Sequence, residues 1–357
     1  MTKEKRRLRV GVLGCGPVSQ AAHFDACHKA RNAELYAVCD VADDLRARAV
    51  AVHQPKAAYC DYEAMLADPK VEAVVVAVAD AFHVPATLRA LDAGKPVLVE
   101  KPLGTSVQEC RSVCERARAT GLVVQVGNNR RFDPGVAFTA RFAREELGRL
   151  QSLTAWYRDS TFRYTMTDNL QPVPLQSPQA LRPEVDPKAD RRTYYLATHG
   201  SHLVDTARFL GGPIRGLRAR RLERFGAYCW FVSVDFDDGA LGHLELTVPA
   251  RGDFEEGFQL LGEHGSARGR LALPWYHKAS EVECFSARDG LYRRPLGEDA
   301  HTYKRQLEAF ADAVLRQVPS PGAGAEEGLA AVQALVAIAR SCESGAHVTL
   351  DETSGGI

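Results

Sequence analysis

The chain has 357 residues with 45 basic and 45 acidic side chains, so its formal net charge is zero. This balance gives no electrostatic reason to expect a nucleic-acid or membrane partner, and no apolar run is long enough to span a bilayer. Two domains are expected at this length, while nine scattered cysteines without zinc spacing favour a reduced, cytoplasmic protein with no metal site.

The first 126 residues alternate short apolar strands with helical patterns, which is typical of a parallel, doubly wound sheet. Gly94 and Gly121 stand where glycine ends a helix. The predicted domain 1–126 has strands at 8–13, 34–39, 57–60, 72–78, 96–99 and 122–126, and its helices include 18–30, 84–93 and 107–119.

The pattern changes after Gly127. The turn Asp237-Asp238-Gly239 joins two strands as a hairpin, so the predicted domain 127–357 is α/β with an open, mostly antiparallel sheet. The predicted strands are 152–158, 216–222, 229–236, 240–247 and 257–261, and the helices are near 135–146, 303–318 and 326–344.

A polar, proline-rich stretch, 159–193, has too few apolar residues for a core of its own. Loops of this length in a compact domain are usually functional, oligomer arms or disordered. Because the stretch precedes His202, we favour a lid or a substrate-selecting loop.

A glycine turn follows the first strand. Gly14 permits the tight turn, and Gly16 lets the backbone approach a pyrophosphate at the start of a helix. The third position of the fingerprint is Ser19, which is small enough for helix and strand to pack. Asp40 ends the second strand, where a carboxylate accepts hydrogen bonds from ribose hydroxyls and repels a 2′-phosphate, which favours NAD over NADP. Alternatively, Asp40 is a helix N-cap.

A second segment places Lys101 at the carboxyl end of an apolar strand, directly after Glu100 and before Pro102. Open parallel sheets hold their ligands at this edge. Together with the glycine turn, the segment predicts a dinucleotide close to an acid/base lysine.

With these motifs the chain resembles the Gfo/Idh/MocA oxidoreductase family over nearly its whole length. The resemblance implies an N-terminal Rossmann domain and a C-terminal α/β domain whose large open sheet often builds the oligomer interface, here of a homodimer or homotetramer. It also implies oxidation or reduction of a ring carbon of a sugar, nucleotide sugar or cyclitol with NAD(P). The matching residues are Gly14 and Gly16, His83, the run Ala93 to Pro102, the run Val126 to Pro134, and the run Gly200 to Asp205 followed by Gly211 and Gly212.

The resemblance also implies roles for individual residues. Lys101 and His202 are the expected acid/base pair, with a cis bond between Lys101 and Pro102. Thr198 stands where inositol dehydrogenase-like members have an aspartate, so it is expected at the substrate. The predicted cofactor contacts are Gly14, Gly16, Pro17, Val18, Asp40, His83, Glu100 and Lys101. For His83 the alternative is a plain N-terminal cap.

Candidate substrate contacts follow the sixth strand, end the first strand of the second domain or precede His202: Asn128, Asn129, Arg131, Tyr157, Thr198 and His199. Amides and a guanidinium suit sugar hydroxyls or a phosphate, but we favour a salt bridge for one of the two arginines, Arg130 and Arg131. Tyr157 offers a stacking face or belongs to the core, and His199 lines the pocket or packs at the helix start.

Two other functions stay open. One is a glycosidase that oxidises its substrate transiently with NAD, for which Thr198-His199-Gly200 is a partial match. The other is a dinucleotide-sensing regulator without catalysis, against which the presence of both Lys101 and His202 argues.

Overall fold

The structure, a computed structural model, describes residues 6–160, 173–184 and 189–357, and these residues form two compact units. The first unit contains described residues up to 129, with 173–184 and 303–329. The second contains 130–160, 189–302 and 330–357. Two later segments, 173–184 and 303–329, therefore belong to the same compact unit as the N-terminal residues. The predicted boundary after residue 126 instead assigns everything beyond it to one domain.

The first unit is built on a six-stranded sheet in the order β3-β2-β1-β4-β5-β6. All five pairings are parallel, which confirms the predicted doubly wound fold, and the order is that of a Rossmann sheet. The strands are β1 (Leu8–Leu13), β2 (Ala33–Cys39), β3 (Ala57–Tyr59), β4 (Ala73–Val76), β5 (Val97–Val99) and β6 (Val124–Val126).

Helices connect these strands and cover the sheet, so β4 and β5 are buried over their whole length. The helices are α1 (Phe24–Lys29), α2 (Asp43–His53), α3 (Tyr62–Ala67), α4 (His83–Asp92), α5 (Val107–Thr120) and α9 (Thr302–Arg316). A π turn (Ser19–His23) leads into α1, so the single helix predicted over 18–30 contains a widened turn.

The second unit is built on a nine-stranded sheet in the order β14-β13-β12-β11-β7-β10-β9-β8-β15. Only the β7–β10 pair is parallel, so the prediction of a mostly antiparallel sheet is confirmed. The strands are β7 (Leu150–Ser160), β8 (Ile214–Arg224), β9 (Ala227–Phe236), β10 (Leu241–Ala250), β11 (Glu255–Gly262), β12 (Gly265–Arg270), β13 (Glu281–Ser286), β14 (Leu291–Arg293) and β15 (Val348–Thr349). The last four were not predicted.

The core of the second unit lies on one face of this sheet. Trp230, Phe236 and Phe258 are among its largest fully buried side chains. The helices are α6 (Pro134–Glu145), α7 (Arg191–Tyr195), α8 (Ser201–Gly211) and α10 (Ala325–Ser344), the last of which spans the boundary at residue 329. Across the described parts of the chain, no helix is both long and apolar enough to cross a membrane.

Candidate active site

The glycine turn after β1 has the geometry of a phosphate cradle. Gly14 has φ +93°, and a Cβ there would lie 2.3 Å from the Ala77 carbonyl oxygen, so only glycine fits. A Cβ on Gly16 would meet nothing within 4 Å, which leaves the space beside it open to a ligand. The buried Ser19 hydroxyl donates to the Gly14 carbonyl (2.6 Å) and fixes the turn. These residues fit the pyrophosphate of a dinucleotide.

Asp40 is half-buried at the end of β2 and braces this turn. Its Oδ2 accepts from the Cys15 N–H (2.7 Å) and its Oδ1 accepts from the Ala42 N–H (2.9 Å). Ala42, not Asp40, is the N-cap of α2, and the amide oxygen of Gln179 accepts from the Asp43 N–H at the start of that helix (3.2 Å). The capping alternative is therefore wrong. Each carboxylate oxygen has a further lone pair that suits a ribose hydroxyl.

The described part of the proline-rich stretch, 173–184, packs in the first unit beside the glycine turn. The Gln20 amide donates to the Leu175 carbonyl (3.0 Å) and accepts from the Leu175 N–H (2.8 Å). The Ser177 hydroxyl donates to Asp44 (2.7 Å) at the start of α2. Segment 173–184 thus flanks the dinucleotide-binding edge, while the lid prediction for 161–172 and 185–188 lies outside the described residues.

Lys101 follows β5 and the buried Glu100, and the Lys101–Pro102 bond is cis, as the resemblance implied. His83 packs beneath this turn. It is 1% exposed, its Nδ1 lies 2.7 Å from the Pro102 carbonyl and its Nε2 lies 3.1 Å from the Val78 carbonyl. His83 is the first residue of α4 and its ring does not cap that helix, so it supports the Lys101 turn.

In the second unit, β7 and the start of α8 bring together an imidazole cluster, defined as Tyr157, Asp159, His199 and His202. The rings of Tyr157 and His202 are parallel at 6.1 Å. The His199 Nδ1 lies 3.3 Å from the Tyr157 hydroxyl and 3.7 Å from the Asp159 carboxylate. The two histidines and the tyrosine, which sequence analysis selected separately, are therefore neighbours with groups that hold or move protons.

Sequence analysis missed Asp159 as a member of this cluster. It is buried on β7 two residues after Tyr157, so both side chains point to the same face of the sheet. The alternation of inward- and outward-facing residues along β7 is the signal that could have identified Asp159. Thr198, in contrast, lies in a π turn (Leu196–Gly200), and its hydroxyl donates to the Tyr194 carbonyl (2.7 Å).

Two buried ion pairs hold the arginines of the 126–134 run. Three hydrogen bonds of 2.6–3.1 Å join Arg131 to Asp205, and the two side chains are 7% and 2% exposed. Arg130 forms a buried ion pair with Glu256. Burial raises the pKa of Glu256 to about 7, although the Arg130 guanidinium acts to lower it. Both arginines thus form an internal salt bridge, where one was expected, and the contact between Arg131 and substrate stays a prediction.

Asn128 and Asn129 end the first unit in a tight turn. Their N–H groups donate to the carbonyls of Val126 (2.7 Å) and Gly127 (2.9 Å), and both side chains are buried. Their predicted contact with substrate stays a prediction.

The Rossmann sheet, the glycine turn and Asp40 define a dinucleotide-binding protein with a second α/β domain. Residues 8–128 match a family model described as "Oxidoreductase family, NAD-binding Rossmann fold", and residues 195–350 match its partner, "Oxidoreductase family, C-terminal alpha/beta domain". The chain belongs to the Gfo/Idh/MocA oxidoreductase family, and its cofactor is NAD.

Full-length relatives include dehydrogenases of different substrates. The chain is 30% identical to an inositol 2-dehydrogenase of Acidothermus cellulolyticus over 95% of this chain and 94% of the relative. It is 28% identical to a D-xylose 1-dehydrogenase (NADP(+)) of Haloferax volcanii over 96% and 97%. Among solved structures, GenD2 from gentamicin A biosynthesis, in complex with NAD, is 25% identical with a TM-score of 0.75 over 98% and 97%.

Asp40 is expected to set the preference for NAD over NADP. Asp40→Ser removes the charge that repels a 2′-phosphate, so the ratio of kcat/KM for NAD to that for NADP should fall by roughly ten-fold or more. The variant also loses an acceptor for the Cys15 or Ala42 N–H, so its thermal unfolding is measured alongside. A wild-type protein that already binds NADP more tightly would contradict the contact between Asp40 and the ribose.

Proposed function

We propose that the protein is an NAD(H)-dependent dehydrogenase that acts on a ring carbinol or ketone of a sugar, nucleotide sugar or cyclitol, with Lys101 and His202 as its acid/base pair. The observation that carries the proposal is Lys101 itself. It stands at the carboxyl end of β5, beside a buried carboxylate, in a chain related to inositol and xylose dehydrogenases.

The proposed chemistry divides between the cofactor and the side chains. NAD, when bound, supplies the hydride acceptor or donor. Oxidation of a carbinol also requires that the hydroxyl proton be removed, and reduction requires that it be returned, which is the work of the Lys101 amine. His202 shares the hydroxyl and orients it, while Tyr157 holds the His202 ring in place through their parallel stack.

The proposal includes a contact between His199 and the substrate. Its imidazole is half-buried, between the Tyr157 phenol and the Asp159 carboxylate. A homodimer or homotetramer through the nine-stranded sheet and a cytoplasmic location are further parts of the proposal. All nine cysteines are free, which favours the latter.

A substrate screen tests the function directly. Purified protein and NAD are incubated with cyclitols, aldoses, nucleotide sugars and their amino derivatives, and NADH is followed by its absorbance. Net NADH formation from one of these classes is the expected result. Release of an aglycone without net NADH indicates the glycosidase, and NAD binding without turnover of any compound indicates the regulator.

A further inference from the structure

A buried histidine that the proposed chemistry does not use lies beside the Lys101 turn. We propose that His23 is a positioning residue for Lys101, because its hydrogen bond holds the Glu100 carboxylate in place at the end of β5. The inference rests on the proposed function of Lys101. It also links the dinucleotide-binding turn to the acid/base residue within the first unit.

The contacts form a short chain from His23 to the backbone of Lys101. The His23 Nε2 donates to Oε1 of Glu100 over 2.9 Å, and Oε2 of Glu100 accepts from the Lys101 N–H at 3.2 Å. His23 is 3% exposed and Glu100 is 8% exposed. Both oxygens of one buried carboxylate are therefore engaged, one by the histidine and one by the residue proposed to transfer the proton.

The fold determines the placement of both partners. His23 ends the π turn that continues directly from the glycine turn, and its ring meets Tyr303 of α9 edge-on at 5.4 Å. On the other side, a Cβ on Gly127 would lie 3.2 Å from Oε1 of Glu100 and 3.1 Å from its Cα. The carboxylate thus has little room to leave its position between His23 and Gly127.

Electrostatics agree with this geometry. Burial alone would raise the pKa of Glu100, but the His23 hydrogen bond and charge outweigh it, and Lys101 and His83 add to the effect, so the pKa lies below its ordinary value. Among the described residues, His23, Lys101 and His83 are the titratable groups whose charges act on Glu100 most strongly. His23 itself faces Glu100 and Tyr303.

The consequence for stability has a definite sign. A carboxylate whose pKa is depressed on folding stabilises the fold above its unfolded pKa, and this contribution is lost as the pH falls through the folded pKa. Because the pKa of Glu100 lies below its ordinary value, the wild type keeps an ionised Glu100, and with it this contribution to stability, throughout the neutral range.

His23→Leu removes the donor and leaves a buried carboxylate that prefers to be protonated. We expect kcat to fall about ten-fold or more at neutral pH, with the affinity for NAD nearly unchanged, because one charge-assisted hydrogen bond next to Lys101 is lost. A new loss of kcat should also appear on the acid side of the pH profile, as Glu100 takes up a proton.

His23→Gln is the rescue variant, since its amide N–H reaches the position of Nε2 without a titratable ring. It should restore kcat to within about three-fold of wild type and abolish the acid-side loss. His28→Leu is the matched control, because His28 is exposed on α1, the helix that follows the π turn, and it should keep the wild-type profile.

Lys101→Met is measured in parallel so that the two proposals fail separately. If Lys101→Met keeps its turnover, the acid/base role of Lys101 is wrong. If Lys101→Met is inactive while His23→Leu keeps the wild-type kcat and pH profile, the positioning role of His23 alone is wrong. Equal losses in His23→Leu and His23→Gln, with a lowered thermal midpoint and no change in pH profile, would also overturn it, because they indicate a purely structural role.

Discussion

Lys101→Met should lower kcat by roughly 10²–10⁴-fold, as expected when a general acid/base is removed. Methionine is unbranched like lysine and fills similar space, so the turn after β5 should keep its shape. The affinity for NAD should stay near normal, because the glycine turn and Asp40 are unchanged. Steady-state kinetics on the substrate found by the screen and an NAD titration measure the two effects.

Lys95→Met is the matched control for this result. Lys95 precedes the same strand, and its ammonium donates to the carbonyls of Asp68 (3.2 Å) and Val71 (2.6 Å). Its loss removes two backbone contacts at the opposite end of β5, so it should lower stability and leave kcat per folded protein intact. Near-normal turnover of Lys101→Met would contradict the proposed role of Lys101.

The fold was largely predictable where the signal is local. β4 and β5 are apolar and buried over their whole length because helices cover both faces of the sheet, and β1 was predicted to the residue, Leu8–Leu13. β12 escaped prediction because it contains two glycines, which have low strand propensity, and lacks β-branched and aromatic residues. A Cβ on its Gly269 would lie 2.4 Å from the ring of Phe258 on the neighbouring strand, so this position requires glycine. Such a requirement arises only when the strands pair.

The site shows the same division. The conformation of Gly14 and the position of Lys101 after β5 were predictable, because backbone conformation and strand end are properties of short segments. The bond from Asp40 to the Cys15 N–H and the contact between His23 and Glu100 join distant segments, and a π turn sets the direction of His23. Periodicity does not indicate a π turn, because the helical pattern on either side of it is ordinary.

The buried pair of Arg131 and Asp205 carries the largest expected effect on stability. Asp205→Ala should lower the free energy of unfolding by about 3–5 kcal/mol, because it leaves a buried guanidinium without its carboxylate. The double variant Arg131→Met/Asp205→Leu should recover most of this loss, since apolar replacement of a buried pair is often neutral. Urea unfolding of the purified variants measures both effects.

Glu263→Ala is the control for this pair, because Glu263 forms an exposed ion pair with Arg149 in the same unit, and its loss should leave the free energy of unfolding nearly unchanged. The double variant also separates the two roles considered for Arg131. If the guanidinium serves only Asp205, the stable double variant keeps its KM for substrate. A large rise in KM at restored stability would show that Arg131 does contact the substrate, as the sequence alone predicted, and the internal salt bridge would then be its secondary role.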